Sequence, residues 1–470
     1  MTTEIWKMDA VATAHGIRTG QFSSREATES CLARLDAVNP RINAVVDVLR
    51  DEALKTADAA DATRKAGGDL PPLHGVPVTV KINVDWIGRP TDNGVVAFKD
   101  LIASDDSSST RAWRRAGAVV IGRTNAPAFS MRACTGNDLH GLTLNPVNKD
   151  LTSGGSSGGA SSAVAAGIGS LAHGNDIGGS VRYPAYCTGT FGIRPTAGRV
   201  GGFNPSAGVD RLIGSQLMAV QGVLTRSVRD LRLGIDTMAA RDERDVWQVP
   251  MAPLTGAPPR ARRAAFWTRA HGVDLHPDVR ASVEKAAAWL ADAGWEVEEA
   301  APITGLEGFD LWAPIIMSEN QYALLPLVEK YGDDAIKSFM GDQVKMSERL
   351  DLEGYLMAMR RRTTLLRDWT LFLEKYPVLI TPVSSEPPLP TDGDLGGYEA
   401  SVRTQKALSF MMQMATIGLP GVSAPTGAVG RVPMGVQLVS ARFDEASALA
   451  AAEVIEARAP AVAPVDPHWT

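Results

Sequence analysis

The sequence predicts an α/β protein built on a parallel sheet, and three observations carry that expectation. VPVTVK (76–81), SSTRAWRRAG and AVVIGRTN follow one another as apolar strand, helix and apolar strand. RRAAFW, DVRASVEKAAAWLADAG and WEVEE repeat the same order further on. A strand, helix, strand series is a βαβ crossover, which joins parallel neighbours. The third observation is composition: the 470 residues are 44% hydrophobic and 21% charged, with a net charge of −6, which excludes a largely disordered chain.

Each element has a local reason. In SSREATESCLARLDAVNP, Ser23 and Glu26 have the spacing of a capping box, and Ala27, Cys31, Leu32, Leu35 and Val38 recur on one helical face. Pro40 is expected to stop that helix. Gly117 ends the helix of the first βαβ unit and Gly294 that of the second, where Val279, Val283, Ala287 and Leu290 form the apolar face. Residues 250–261 are a Pro-rich connector, the chain then reads as helical to about residue 375, and YPVLITP and MGVQLVSA read as late strands. PPLPTDGDLGG (387–397) is loop. The basic run Arg360 to Arg362, with Glu348 and Asp351 upstream, is expected to be a solvated helix face.

Composition also narrows the function. Cys31, Cys134 and Cys187 have no CxxC spacing, so neither a zinc site nor a disulfide scaffold is expected, and a cytoplasmic location is the default. The N-terminus has no basic region followed by an apolar one, and no run is long enough to span a membrane; the chain is read as soluble and mature from its start. A mildly acidic chain offers no electrostatic footprint for nucleic acid.

Residues 151–181 are the unusual stretch: 31 residues rich in Gly and Ser with one formal charge, Asp176. A flexible linker would lack the apolar middle AVAAGIGSLA, so a buried segment of small residues fits better. GxSxG at 154–158 matches a nucleophile elbow, but the residues before it are polar and Pro-interrupted rather than a strand. No GK[ST] follows the glycines as a phosphate cradle requires. His173, His271, His276 and His468 are available as bases, none in a recognisable context, and His173 and His140 are read as structural. A lysine can activate a serine if burial keeps its amine neutral, and Lys81 ends an apolar strand.

KINV after GVPVTV, GGSSGGASSAVAAG, GNDIGGSVRYPA and GIRPTAGRV resemble the motifs of the amidase signature family in order and spacing. SSREATESCLARLDAVNPRINAVV, RTNAPAF with LTLNP, and VLITP with GLPGVSAPTG and VPMGVQLV extend the resemblance over nearly the whole chain. It implies one α/β/α domain over residues 1–470, with a mixed, mostly parallel sheet, a catalytic core at about 70–205, variable pocket helices at about 300–375 and return strands at about 376–445. It implies a triad of Lys81, Ser156 and Ser180, in which Ser180 attacks, Ser156 relays the proton and neutral Lys81 accepts it. The peptide before Ser156 is cis in that family. The N–H groups of Ile177, Gly178 and Gly179 form the implied oxyanion hole, Asp176 and Arg182 brace the loop, and Ser153 joins the hydrogen-bond network. Relatives have Asp after the lysine; Ile82 stands here, so that contact is absent or supplied by Asn83 or Asp85.

The activity implied is hydrolysis of carboxylic amides through an acyl-enzyme, with no metal and no cofactor, by a monomer or homodimer acting on a small molecule. Met131, Thr135, Trp312, Ile316, Met317 and Met412 are candidates for an apolar, aryl-accepting pocket. Relatives that cleave nylon oligomers extend the candidate substrates, as do carbamates (urethanes) and aryl esters. The rival readings are the glutamine-hydrolysing chain (GatA-type) of a glutamyl-tRNA amidotransferase and a noncatalytic scaffold protein.

Overall fold

The computed structural model describes residues 4–467 and residue 469, so His468 lies outside the described residues. Eleven strands form one sheet: β1 (Val45–Val48), β2 (Pro77–Lys81), β3 (Val119–Thr124), β4 (Leu171–Asp176), β5 (Phe191–Arg194), β6 (Val220–Thr225), β7 (Arg263–Phe266), β8 (Glu296–Glu299), β9 (Val378–Pro382), β10 (Gly421–Val429) and β11 (Val432–Val439). Their spatial order is β1-β3-β2-β4-β6-β5-β10-β11-β9-β7-β8.

Both βαβ units exist and both are parallel, β2 with β3 and β7 with β8. The sheet is mixed, but parallel pairing does not prevail: β2 with β4 and β7 with β9 complete the parallel set, and the six other neighbouring pairs are antiparallel. The centre explains the difference. β10 and β11 are joined directly by the Gly430–Arg431 turn, with Gly430 at φ 60°, and a two-residue hairpin can only be antiparallel.

Side chains alternate between two cores, as the two-residue period of a strand demands. Val378 and Ile380 face one core with Leu231, Ile235, Val283, Leu290, Leu449 and Ile455, whereas Leu379 faces the other with Leu365, Trp369, Phe410 and Met414. Helices therefore cover both faces, giving α/β/α layers. On the second face Ala160 and Val164 of the helix Gly158–Ala165 pack on Ala172 and Leu224.

Two local expectations need correction. Pro40 lies inside the helix Ser24–Ile42 rather than ending it. The helix stops at Asn43, φ 48°, because Asn39 Oδ1 accepts the N–H groups of Ala44 and Val45 and turns the chain out toward β1. The basic run is not a uniform solvated face: Arg360 is exposed and Arg361 pairs with Glu307, but Arg362 is buried and its Nε donates to the Thr416 carbonyl at 2.5 Å. The capping box of Ser23 and Glu26 is present as expected.

One buried ion cluster ties the 131–134 segment to the 387–397 loop. Asp394 accepts Arg132 Nη2 at 2.7 Å and the N–H groups of Ala133 and Cys134, and Asp392 accepts the same guanidinium nitrogen at 2.7 Å. Asp394 is fully buried and Asp392 half exposed. Removing a buried partner strands the other charge, whereas an exposed one contributes little. Asp394→Ala should therefore lower the unfolding free energy by roughly 3 kcal/mol and Asp392→Ala by less than about 1 kcal/mol. Denaturant melts of the two variants check this, and equal losses would contradict it.

Candidate active site

The site lies where the C-terminal ends of β2 and β4 meet. These strands run parallel with Thr79 beside Ala172, so Lys81, Asn175 and Asp176 emerge at the same end. Carboxyl ends of parallel strands are where α/β sheets assemble ligand sites. Between the two strands in sequence, the segment up to the helix Gly158–Ala165 carries Ser156 and Ser157 to Lys81. Small residues make that approach feasible: a Cβ at Gly155 would sit 2.2 Å from the Arg132 carbonyl oxygen and 2.6 Å from the Ala133 carbonyl carbon. The Gly155–Ser156 peptide is cis.

Lys81 has no exposed surface. Its Nζ lies 2.8 Å from Ser156 Oγ, 2.9 Å from Asn175 Oδ1 and 3.2 Å from Ser157 Oγ. Burial holds its amine well below the usual lysine range; Asp176 works against that shift and Arg211 adds to it. Asn175 is held by Asn83, amide to amide, at 3.0 and 3.3 Å. Of the two residues expected to replace the missing carboxylate at Ile82, Asn83 thus acts on the site through Asn175. Asp85 does not, being committed to Thr91, Asn204 and Ser206.

Ser180 follows on the loop after β4, which Asp176 organises. Asp176 accepts the N–H of Gly179 at 2.9 Å, that of Val181 at 3.2 Å and Arg182 Nη2 at 2.8 Å, with neither side chain of that pair exposed. The expected brace is therefore a buried ion pair. Arg194 Nη1 adds a second cation at 3.4 Å. The expected oxyanion donors divide: the Gly179 N–H is already given to Asp176, while those of Ile177 and Gly178 have no acceptor among the described residues.

A cavity opens over Ser180, Gly155 and the Ile177–Gly179 backbone, walled by Met131, Tyr183, Trp312, Met317, Phe339 and Met412. Trp312 also donates its indole N–H to the Ile177 carbonyl at 2.8 Å. Two predicted pocket residues are elsewhere. Thr135 braces the serine segment, donating to the Gly154 carbonyl at 2.8 Å and accepting from the Gly158 N–H. Ile316 points into a core of Met218, Ile315 and Ala415. Ser153 binds the Thr143 carbonyl, not Lys81.

The histidines are structural. His173 is buried, accepts the Lys81 backbone N–H at Nδ1 and faces Gln221 Oε1 at 2.9 Å, and burial pushes its pKa down to about 4. His140 contacts Asp92. Among the described residues Cys134, Asp392 and Asp394 form the one cluster with the spacing of metal ligands, and Arg132 occupies both carboxylates. Sequence reasoning missed Asn175 and Ser157. Both sit inside quoted motifs, but only the β2–β4 register shows that their side chains reach Lys81.

Comparison with known proteins agrees with this geometry. The family model Amidase matches residues 26–449. The chain is 44% identical to an indoleacetamide hydrolase of Bradyrhizobium diazoefficiens over 97% of its length and 87% of the relative's. It is 31% identical to an acylamidase of Rhodococcus erythropolis, over 96% of this chain and 96% of that one. More distant matches include GatA-type chains of glutamyl-tRNA(Gln) amidotransferases, such as that of Moorella thermoacetica at 32% identity over 96% of this chain and 97% of that one. The solved structure of 6-aminohexanoate cyclic dimer hydrolase complexed with substrate superposes with a TM-score of 0.81 at 28% identity, covering 97% of this chain and 98% of the other. Since the family match runs from the first long helix through the last strand and takes in every residue that surrounds Lys81, this chain belongs to the amidase family and is an amide hydrolase.

Proposed function

We propose that the protein hydrolyses neutral arylacetamide-type amides through an acyl-enzyme on Ser180. The observation that carries this reading is a fully buried Lys81 within 2.8 Å of Ser156 Oγ, beneath an apolar cavity floored by Ser180. The Lys81 lone pair takes the Ser156 proton as Ser156 takes that of Ser180, and Ser180 Oγ attacks the acyl carbon. The carbonyl oxygen gains the negative charge and meets the N–H groups of Ile177 and Gly178. The proton returns through Ser156 to the amide nitrogen, the C–N bond breaks and the amine leaves. Water repeats the sequence on the Ser180 ester and releases the acid.

The cavity supports the choice of substrate. Its wall from the 300–375 helices is Trp312, Met317, Phe339 and Gln343, and its one charged lining residue, Arg132, is bound to Asp392 and Asp394. A zwitterionic amino acid would leave both its charges unpaired there. This disfavours the glutaminase reading, despite the similarity to the amidotransferase chains. Carbamates (urethanes), aryl esters and nylon oligomers present the same acyl carbon to Ser180. Three free, buried cysteines suit the reducing cytoplasm.

Fluorophosphonate labelling with peptide mapping is expected to modify Ser180, and Lys81→Ala is expected to slow both labelling and turnover by roughly 10³-fold, the scale of general-base catalysis. Labelling at another serine, or full activity without Lys81, would defeat the mechanism. In a substrate panel, kcat/KM for indole-3-acetamide should exceed those for acetamide and glutamine by roughly 100-fold; a preference for short aliphatic amides would remove the apolar-pocket assignment. Acidification tests Lys81 without substrate. Its folded pKa is depressed, so between that value and about 10.4 the unfolded chain binds the extra proton and stability rises with pH. Relative to Lys81→Met, the native protein should gain about 1.4 kcal/mol per pH unit in that window. Parallel stability curves would show that Lys81 stays protonated in the fold.

A further inference from the structure

Lys81 has three polar partners at Nζ, and its hydrogens decide what each one does. A neutral primary amine offers two N–H donors and one lone pair. Asn175 Oδ1, 2.9 Å away, is a carbonyl oxygen and can only accept. Ser157 Oγ, at 3.2 Å, can take the second N–H. The lone pair is then directed at Ser156 Oγ, the nearest of the three at 2.8 Å. We propose that Asn175 is a positioning residue of the relay: by occupying one N–H of Lys81 it turns the lone pair toward Ser156. This rests on the reading of Lys81 as the base.

The amide cannot serve equally in its flipped orientation. Asn175 Nδ2 donates to Asn83 Oδ1 at 3.0 Å, and Asn83 Nδ2 donates back to Asn175 Oδ1 at 3.3 Å and to Ser130 Oγ at 2.9 Å. The Ser130 hydroxyl passes on to Asn93 Oδ1 at 2.6 Å. Flipping Asn175 would set its NH₂ against both Lys81 Nζ and Asn83 Nδ2. Asn83 stands two residues after Lys81, beside the Ile82 that carries no polar group, so the asparagine pair supplies a neutral anchor where a carboxylate is missing. Neutrality matters because a carboxylate next to the amine would favour its charged form.

The charged and titratable groups around Lys81 leave that effect readable. On β4, Asp176 is bound to Arg182 and Arg194, and His173 faces Gln221. Arg123 on β3 turns to the carbonyls of Ile82, Val84 and Pro90. Arg211 lies across a small polar cavity that Asn83, Ser107, Asn175, Asn204 and Gln221 also line.

Asn175→Asp keeps the shape and adds the charge. The acid limb of the kcat/KM profile should move up by one to three pH units, with plateau kcat within about tenfold of native. Over the same range, the pH at which stability begins to rise should move up equally, a readout that needs no substrate. An acid limb and a stability curve both unmoved would overturn the proposal. If the native protein neither hydrolyses amides nor labels at Ser180, the function falls, yet the stability curves still decide whether Asn175 governs Lys81. Should Asn175→Asp fail to fold, Asn83→Leu, which frees Asn175, is expected to lower kcat at least about tenfold with KM within twofold. Native kcat in that variant would overturn the proposal.

Discussion

The active-site loop depends on one buried carboxylate. Asp176 ends β4, and its two oxygens hold the N–H groups of Gly179 and Val181 together with the guanidinium of Arg182. Burial alone would raise its carboxyl; Arg182 and Arg194 reverse this and keep it below the usual carboxylate range, so it stays charged. The two arginines extend its reach. Arg182 continues to the Met411 carbonyl and Gln437 of β11, and Arg194 of β5 to the Asp176 and Leu419 carbonyls. Ser180 is thus positioned by β4, β5 and β11 at once, through charges that cannot separate without leaving one of them unpaired in the core.

The same economy of charge governs the rest of the site. Lys81, the one lysine at the centre, is surrounded by neutral acceptors, while Arg132 at the cavity wall is neutralised by Asp392 and Asp394. A cavity whose formal charges are all satisfied internally offers a substrate only apolar contact and two backbone donors. Selectivity then follows from shape and desolvation, and proton transfer takes place where water does not compete for the amine.

How much of this could be read from the sequence depends on range. Local signals served well: the Ser23–Glu26 box, the two βαβ units and the stops at Gly117 and Gly294 all involve residues close in the chain. The central strands were less legible. β5 is four residues containing a glycine, and β6 has no helical crossover before it, so nothing in either announces antiparallel pairing. Site residues divided in the same way. Motif spacing pointed to Lys81 and Ser156, which are in contact, but residue type could not separate pocket from core, and Ile316 lines a core while its neighbour Met317 faces the cavity. Asn175 was invisible because its role exists only across two paired strands.

The indole of Trp312 belongs to two structures at once. It forms part of the cavity wall, and its N–H holds the carbonyl of Ile177, while its ring lies so close to Gly178 that a Cβ there would be 3.1 Å away. Evolution of new specificity is thereby channelled. Met317 and Phe339 on the same wall can drift and reshape the acyl pocket, whereas a change at position 312 disturbs the backbone that receives the developing charge. Lineages diversifying from this scaffold would explore substrates through the outer wall first, with Trp312 the last of these positions to be released.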